Sequence, residues 1–480
     1  MAKTSRSSGS IGPFLVASSI LGACFAPIIS LDASKSIVGY ICLSVELVSA
    51  IAILYGCISI CKDRDNWIKQ KRRSSVTTIK VAVLWILGIA QCSLYIIYGI
   101  LHQNCGELYQ VLLLSQREGQ YCFIYVAYTF LQIGFISYCS HFVFIDFWKI
   151  KYIISLMAIS NMVKWMEANV FSIFVKTTSD ISKYYDLMQN CTYIKENHLK
   201  SVFQLTDMLL PPFLMEFNIL ATMLIISLAF SKTNKMADTS DSHIAISSDS
   251  NVPEDQQKSI PLTSRAKLFT IVFGTILNAP FLAYGVLFTA SSHLLENVIN
   301  EWILSIVVAK LIIFLLILTA FYLLHKKLAI SIESHRLNFN GVALILCSSA
   351  VSVTGLVSSL FPESRNAALI TFHTWFNVFY ITYQTIFILL GRSVVIIRGS
   401  RGVVVVFRVI LILLISYNTL YWMKDSLFFQ RSIENDIREN LIRLIFFVLY
   451  PFVSFYRFQS VMELIPFYSK LCAVNPCYYN

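Results

Sequence analysis

Long apolar runs set the strongest limit on the fold of this chain. Twelve stretches stay apolar over roughly 20 residues, the length that an α-helix needs to cross a hydrocarbon layer about 30 Å thick. They lie near residues 11–30, 36–61, 79–102, 121–143, 151–176 and 208–230 in the first half, and near 266–290, 299–324, 339–360, 367–390, 402–423 and 441–465 in the second. The alternating strands of a membrane barrel do not produce such continuous runs. We therefore predict an all-α polytopic membrane protein with twelve transmembrane helices.

The distribution of charge predicts how these helices are oriented. Only 14% of residues are charged, against about a quarter in soluble proteins, and the formal net charge is +11. The lysines and arginines concentrate in the loops that join even-numbered to odd-numbered runs, at 62–73, 149–151, 325–336 and 392–401. The positive-inside rule places these loops and both termini in the cytoplasm, so nucleic acid is not an expected partner. Asn190, followed by Cys and Thr, is then a glycosylation candidate in an outer loop.

One polar stretch divides the chain into halves. Residues 231–265 are rich in Ser, Asp, Thr and Lys, which predicts a flexible cytoplasmic linker. We expect an N-terminal six-helix half at 1–230, a C-terminal six-helix half at 266–465 and a short cytoplasmic tail at 466–480. The first apolar run follows Lys3 and Arg6 and also fits a signal peptide, which would leave the first half one helix short.

Three polar patterns occur once in each half, in the same order. Gln132 recurs as Gln384, Asn161 with Trp165 as Asn418 with Trp422, and Pro212–Phe213 as Pro451–Phe452. Amides and helix-breaking prolines are costly at membrane depth and usually mark functional positions. The two copies are six runs apart, an even number, so both have the same orientation. This predicts a parallel repeat of two six-helix barrels.

The first copy adds a carboxyl group. Glu216 follows a proline pair by one helical turn and could take up and release protons, or could only hold helices together. With Gln132 and Asn161 it could close a hydrogen-bonded ring across three helices; helix-to-helix contact is the alternative role of each amide. Phe455 occupies the matching position in the second copy. The polar set there is Gln384, Asn418 and Tyr456.

Further charged or titratable residues lie inside the apolar runs. Candidates for gating or structural charge are Glu46, Lys310, His373, Arg457 and Glu463. Glu46 and Lys310 are deep, and we expect them either to pair across the two halves or to line a pathway. We expect Lys164 and Arg408 to extend toward a membrane interface, and His373 to lie at one.

These motifs together resemble the otopetrin family of proton channels. The resemblance rests on Phe130–Leu131–Gln132, on Leu156–Met157–Ala158 with Asn161 and Trp165, on Pro212–Phe213–Leu214–Met215–Glu216–Phe217, on Asn418–Thr419–Leu420–Tyr421–Trp422, and on Pro451–Phe452 with the following residues 455–460. It implies two six-helix barrels per subunit, a homodimer, and proton-selective conduction opened by extracellular acid. It also implies that Gln132, Asn161 and Glu216 form a polar constriction in the N-terminal barrel.

The chain departs from the family pattern at two positions. Gln459 stands where the family pattern of the last span has His. Ser172 replaces the acid expected about two turns after Trp165, and Glu167 lies earlier on the same span.

The sequence therefore favours a proton channel of the cell membrane. A proton-coupled secondary transporter is the alternative, because duplicated halves and proline-broken helices also occur in transporters. An enzyme is not expected, because no nucleophile–base pair, metal motif or phosphate loop is found. Expected partners are protons, membrane lipids or sterol, and a second copy of the chain, with no cofactor and no metal.

Overall fold

A computed structural model describes most of the predicted helices. It covers residues 35–70, 75–106, 113–144, 148–174, 197–229, 292–326, 328–332, 339–360, 367–436 and 440–473, with a few residues at 19–20 and between 265 and 283. Most of the predicted span 11–30, about half of the span 266–290, all of the predicted linker 231–265 except its last residue, and Asn190 lie outside the described residues. The chain divides into two compact units, Met1–Asp241 and Ser242–Asn480, and the division falls inside the predicted linker.

Unit 1 is built from long helices. They are α1 (Lys35–Lys62), α3 (Ser75–Gly106), α4 (Leu113–Cys139), α5 (Trp148–Phe174) and α6 (Asn197–Ala229). The short helix α2 (Arg64–Trp67) leads into β1 (Ile68–Gln70), which pairs antiparallel with β2 (Phe142–Phe144). Helix α6 contains both Pro211 and Pro212.

Unit 2 is built in the same way. Its long helices are α7 (Ser292–Lys326), α8 (Phe339–Leu360), α9 (Ala367–Ser393), α10 (Arg401–Asp436) and α11 (Asn440–Ala473). Strand β3 (Leu328–Ile332) follows α7 and pairs antiparallel with β4 (Val394–Gly399), which follows α9, with an irregularity between Ala329 and Ile330.

The two units share one order of helix contacts. In unit 1 the contacts run α1–α4–α3–α6–α5 and return to α1, so the five helices form a ring. In unit 2 they run α7–α9–α8–α11–α10 and return to α7. Each ring has a further contact across it, between α4 and α6 or between α9 and α11. Each unit also has one two-stranded ribbon at an equivalent place. In unit 1 it joins the segment after α1 to the segment between α4 and α5, and in unit 2 it joins the segment after α7 to the segment between α9 and α10.

Seven of the described helices are long and apolar enough to cross a membrane: α1, α3, α4, α6, α7, α8 and α10. This is typical of a helical, multi-pass membrane protein. The other long helices, α5, α9 and α11, carry many of the polar residues discussed below.

Several helices extend beyond the predicted apolar runs. Helix α6 begins at Asn197, before the predicted run 208–230, and α10 continues to Asp436, past the predicted run 402–423. Helix α11 continues to Ala473, past the end of the predicted run 441–465. An apolar run marks only the part of a helix that suits lipid, and the polar ends of these helices carry no such signal.

Close packing brings three helices of unit 1 together near the predicted constriction. Gly88 of α3 faces Ile133 of α4 and Phe217 of α6, and a methyl group at Gly88 would clash with Ile133. Small residues allow such close approach between membrane helices. Ile133 and Phe217 adjoin Gln132 and Glu216 in the chain, so this contact positions the predicted site residues.

Candidate functional site

The three residues of the predicted N-terminal constriction are all buried. Gln132, Asn161 and Glu216 lie on α4, α5 and α6, three helices of one ring. The amide nitrogen and oxygen of both Gln132 and Asn161 have no hydrogen-bond partner among the described residues. The direct hydrogen-bonded ring predicted from the sequence is therefore not formed, because the two amides do not reach each other. Buried amides of this kind are normally completed by water.

Further polar groups of the same kind were missed by the sequence analysis. Gln91 of α3 is fully buried, and neither atom of its amide has a partner in the described part of the chain. The hydroxyls of Thr129 on α4 and Ser160 on α5 are in the same state. The amide within the apolar run 79–102 was the available signal for Gln91. Unit 1 thus holds hydrogen-bonding groups on three ring helices, α3, α4 and α5, that are suited to binding water.

A charged cluster lies on helices α1, α4 and α5 of the same ring. Tyr121 on α4 donates a hydrogen bond of 2.9 Å from its hydroxyl to Glu46 Oε1 on α1. Lys164 Nζ on α5 donates to the Tyr121 hydroxyl at 2.7 Å and lies 2.6 Å from Glu167 Oε2. Lys164 is only 3% exposed, so the expectation that it extends to a membrane interface was wrong. Its ion-pair partner Glu167 lies one turn further along the same helix, and its hydrogen-bond partner Tyr121 lies on α4, so its charge is balanced inside the unit.

Aromatic rings complete the surroundings of Lys164. Its ammonium lies 4.3 Å from the ring centroid of Tyr121, 4.7 Å from that of Tyr125 and 5.6 Å from that of Tyr95. Cations are attracted to the faces of such rings. The cluster is therefore held by an ion pair, hydrogen bonds and cation–π contacts.

One face of α4 joins the charged cluster to the amides. Tyr121, Tyr125, Tyr128 and Gln132 follow each other at intervals of three or four residues, which places them on one side of a helix. The hydroxyl of Tyr128 lies 3.0 Å from the Ser49 hydroxyl of α1. The eleven residues from Tyr121 to Gln132 span about 16 Å along the helix. A line of polar groups therefore runs through unit 1 over about half the thickness of a membrane.

The matching amides of unit 2 bond to each other directly. Gln384 Nε2 on α9 donates to Asn418 Oδ1 on α10 at 2.9 Å. The Tyr380 hydroxyl donates to Gln384 Oε1, and Asn418 Nδ2 donates to the Leu414 carbonyl at 2.8 Å. The sequence thus correctly paired these two positions, but their hydrogen bonds are made within the protein, unlike those of Gln132 and Asn161.

Tyr456 contacts Thr385, the residue that follows Gln384 in the chain. Its hydroxyl is 3.0 Å from the Thr385 hydroxyl and donates to the Ile381 carbonyl at 3.2 Å. Thr385 also donates to Ser348 on α8 at 3.1 Å. Phe455, which replaces the carboxyl group in this copy, is buried. The polar set of unit 2 is therefore larger than predicted and is closed by direct bonds.

The remaining predicted charges of unit 2 lie inside its ring. Lys310 Nζ on α7 is 2.8 Å from His373 Nε2 and donates to Asn377 Oδ1 at 3.0 Å, both on α9. Glu46 and Lys310 therefore each have partners within their own unit. Arg457 on α11 is buried and donates to the Tyr380 hydroxyl at 3.4 Å.

Gln459, which stands where the family pattern has His, is hydrogen-bonded within its own helix. Gln459 Nε2 donates to Glu463 Oε1 at 3.0 Å, one turn further along α11, and both side chains are buried. Arg408 is also buried and donates to the Leu471 carbonyl at 2.6 Å. Its guanidinium thus binds a carbonyl near the end of α11, beyond the predicted run 441–465.

Comparison of the chain with models of known protein families gives no match, and comparison with curated protein sequences gives none either.

Proposed function

We propose that the protein is a proton-selective channel of the cell membrane, opened by extracellular acid. In this proposal it has the otopetrin architecture: twelve spans in two parallel-repeat six-helix barrels, cytoplasmic termini and a homodimeric assembly. The identical order of helix contacts in the two five-helix rings, each with an equivalent ribbon, supports a parallel repeat. The duplicated amide motifs lie at matching places in that order.

The observation that carries the proposal is the set of buried, unpartnered amides in unit 1. Gln91, Gln132 and Asn161 offer donors and acceptors that no described residue uses. In this proposal these amides and the polar face of α4 form a route on which water and hydroxyls pass protons from one group to the next. Glu216 is the titratable group of the proposed N-terminal constriction.

A proton-coupled transporter remains the second candidate, because two similar units on polar, proline-containing helices also suit alternating access. The two proposals differ in a measurable way. A channel passes protons without a second solute, whereas a transporter shows saturable flux that requires one.

Glu216→Gln tests the role assigned to the carboxyl group. In liposomes containing the purified full chain and a trapped pH dye, we expect an inward proton gradient to dissipate rapidly with the wild type and about tenfold more slowly with Glu216→Gln. Glu216→Asp should retain part of the flux because it keeps the carboxyl group. Asp63→Asn, at an exposed acid after α1, is the control and should match the wild type. Equal flux through wild type and Glu216→Gln would remove Glu216 from the pathway, and no flux above empty liposomes would contradict the channel.

A further inference from the structure

Three cations surround one tyrosine ring in unit 2. Arg457 Cζ on α11 lies 4.8 Å from the ring centroid of Tyr421, Lys424 Nζ on α10 lies 5.2 Å from it, and Lys310 Nζ on α7 lies 5.6 Å from it. Lys310 and Arg457 are 3% and 2% exposed. Three helices of the ring thus bring positive charge to a single buried position.

Described carboxylates balance only part of this charge. Asp425 Oδ1 lies 3.2 Å from Lys424 Nζ. Lys310 and Arg457 have no ion pair within the described part of unit 2, and the other groups around them are neutral or basic: His373, Asn377, Tyr380, Tyr417 and Tyr456. Glu463 is bonded to Gln459. Buried charge without a counter-charge is strongly unfavourable.

The carboxylates that neutralise the buried lysine of unit 1 have no equivalents at the matching positions of unit 2. Lys164 and Glu167 follow Asn161 by three and six residues, and Tyr421 and Lys424 follow Asn418 by the same intervals. Tyr121 precedes Gln132 by eleven residues and contacts Glu46. His373 precedes Gln384 by the same interval and contacts Lys310. Lysines therefore stand in unit 2 where Glu46 and Glu167 neutralise the cation of unit 1.

Hydrogen-bond donors remain available at this position. The Arg457 Nε–H is buried without a partner among the described residues, although Nη1 donates to Tyr380. The Lys310 ammonium has three N–H donors, and its described neighbours, His373 and Asn377, account for two. An acceptor between Arg457 and Lys310 would satisfy both the donors and the charge.

We propose that Lys310 and Arg457 bind a small monovalent anion beside Tyr421, of the chloride class. Asp425 offsets one of the three positive charges, and a monovalent anion would offset one of the two that remain. The surrounding tyrosine rings disfavour a bulky anion. The proposal does not depend on proton conduction and is tested separately from it.

The test is anion-dependent stability of the purified full chain in lipid nanodiscs. At constant pH and ionic strength, replacing gluconate with chloride should raise the Tm by about 2–6 °C and saturate, because the anion binds the folded state. Bromide should act as chloride does. Lys310→Met should lose this saturable rise. Lys326→Met, at the exposed end of α7, is the matched control and should keep it.

A second variant keeps the test decisive if Lys310→Met folds poorly. Lys310→Glu places a carboxylate where unit 1 has Glu46, so it should be about as stable in gluconate as the wild type is in chloride and should not respond to chloride. A wild-type Tm that is equal in chloride and gluconate would overturn the proposal. An equal chloride response in wild type and both Lys310 variants would show a general salt effect and would overturn it too.

Discussion

Replacing Lys164 with methionine is expected to destabilise the folded protein by about 3–5 kcal/mol, the usual cost of removing one partner of a buried ion pair. Lys164 lies 2.6 Å from Glu167 Oε2 and donates to the Tyr121 hydroxyl, which in turn donates to Glu46. Methionine matches the length of the lysine stem but leaves the buried Glu46 and the partly buried Glu167 without a cation. Thermal unfolding of the purified protein should show a Tm lower by about 10 °C.

Two companion variants separate this effect from a loss of packing. Lys62→Met removes a lysine from the exposed end of α1 and should change the Tm by little. Adding Glu46→Gln and Glu167→Gln to Lys164→Met removes the uncompensated charges and should recover most of the stability. A Tm for Lys164→Met within about 2 °C of the wild type would contradict the arrangement of this cluster.

Gln132→Leu is expected to lower acid-evoked proton flux about tenfold or more while changing stability by less than about 1 kcal/mol. Leucine has nearly the volume of glutamine, and the Gln132 amide bonds to no described residue, so its removal leaves no protein group without a partner. It does interrupt the line of polar groups between α4 and α5. Flux into liposomes and thermal unfolding measure the two effects.

Gln384→Leu is the matched control, because it makes the same change at the equivalent position of unit 2. Gln384 bonds directly to Asn418 and Tyr380, so leucine leaves buried polar atoms unsatisfied and should cost about 1–3 kcal/mol. Its effect on flux should be smaller than that of Gln132→Leu if the protons cross unit 1. The opposite ranking, with Gln384→Leu abolishing flux and Gln132→Leu leaving it intact, would place the pathway in unit 2.

The helices and the pairing of polar positions were readable from the sequence. Apolar length sets where helices lie, and the ten long helices of the described residues each match a predicted run. The recurrence of Gln384 and Asn418 in the order of Gln132 and Asn161 placed both amides in one predicted polar set, and their side chains do bond to each other.

Partners on distant helices were not readable. The expectation for Lys164 followed from its own helix, whereas its burial depends on Tyr121 and Glu46 from two other helices. Gln91 was not predicted because this amide has no counterpart among the duplicated motifs. Whether an amide bonds directly or is left to water depends on distances of a few ångströms between helices, which packing around residues such as Gly88 decides.

The most direct test of the central claim is the reversal potential of the current carried by the wild-type chain. In cells that display the protein at the surface, extracellular acid should evoke a current whose reversal potential shifts by about 59 mV per unit of pH difference across the membrane. The shift should be unchanged when sodium, potassium or chloride is replaced. A reversal potential that follows one of those ions, or the absence of current from protein shown to be at the surface, would contradict proton-selective conduction.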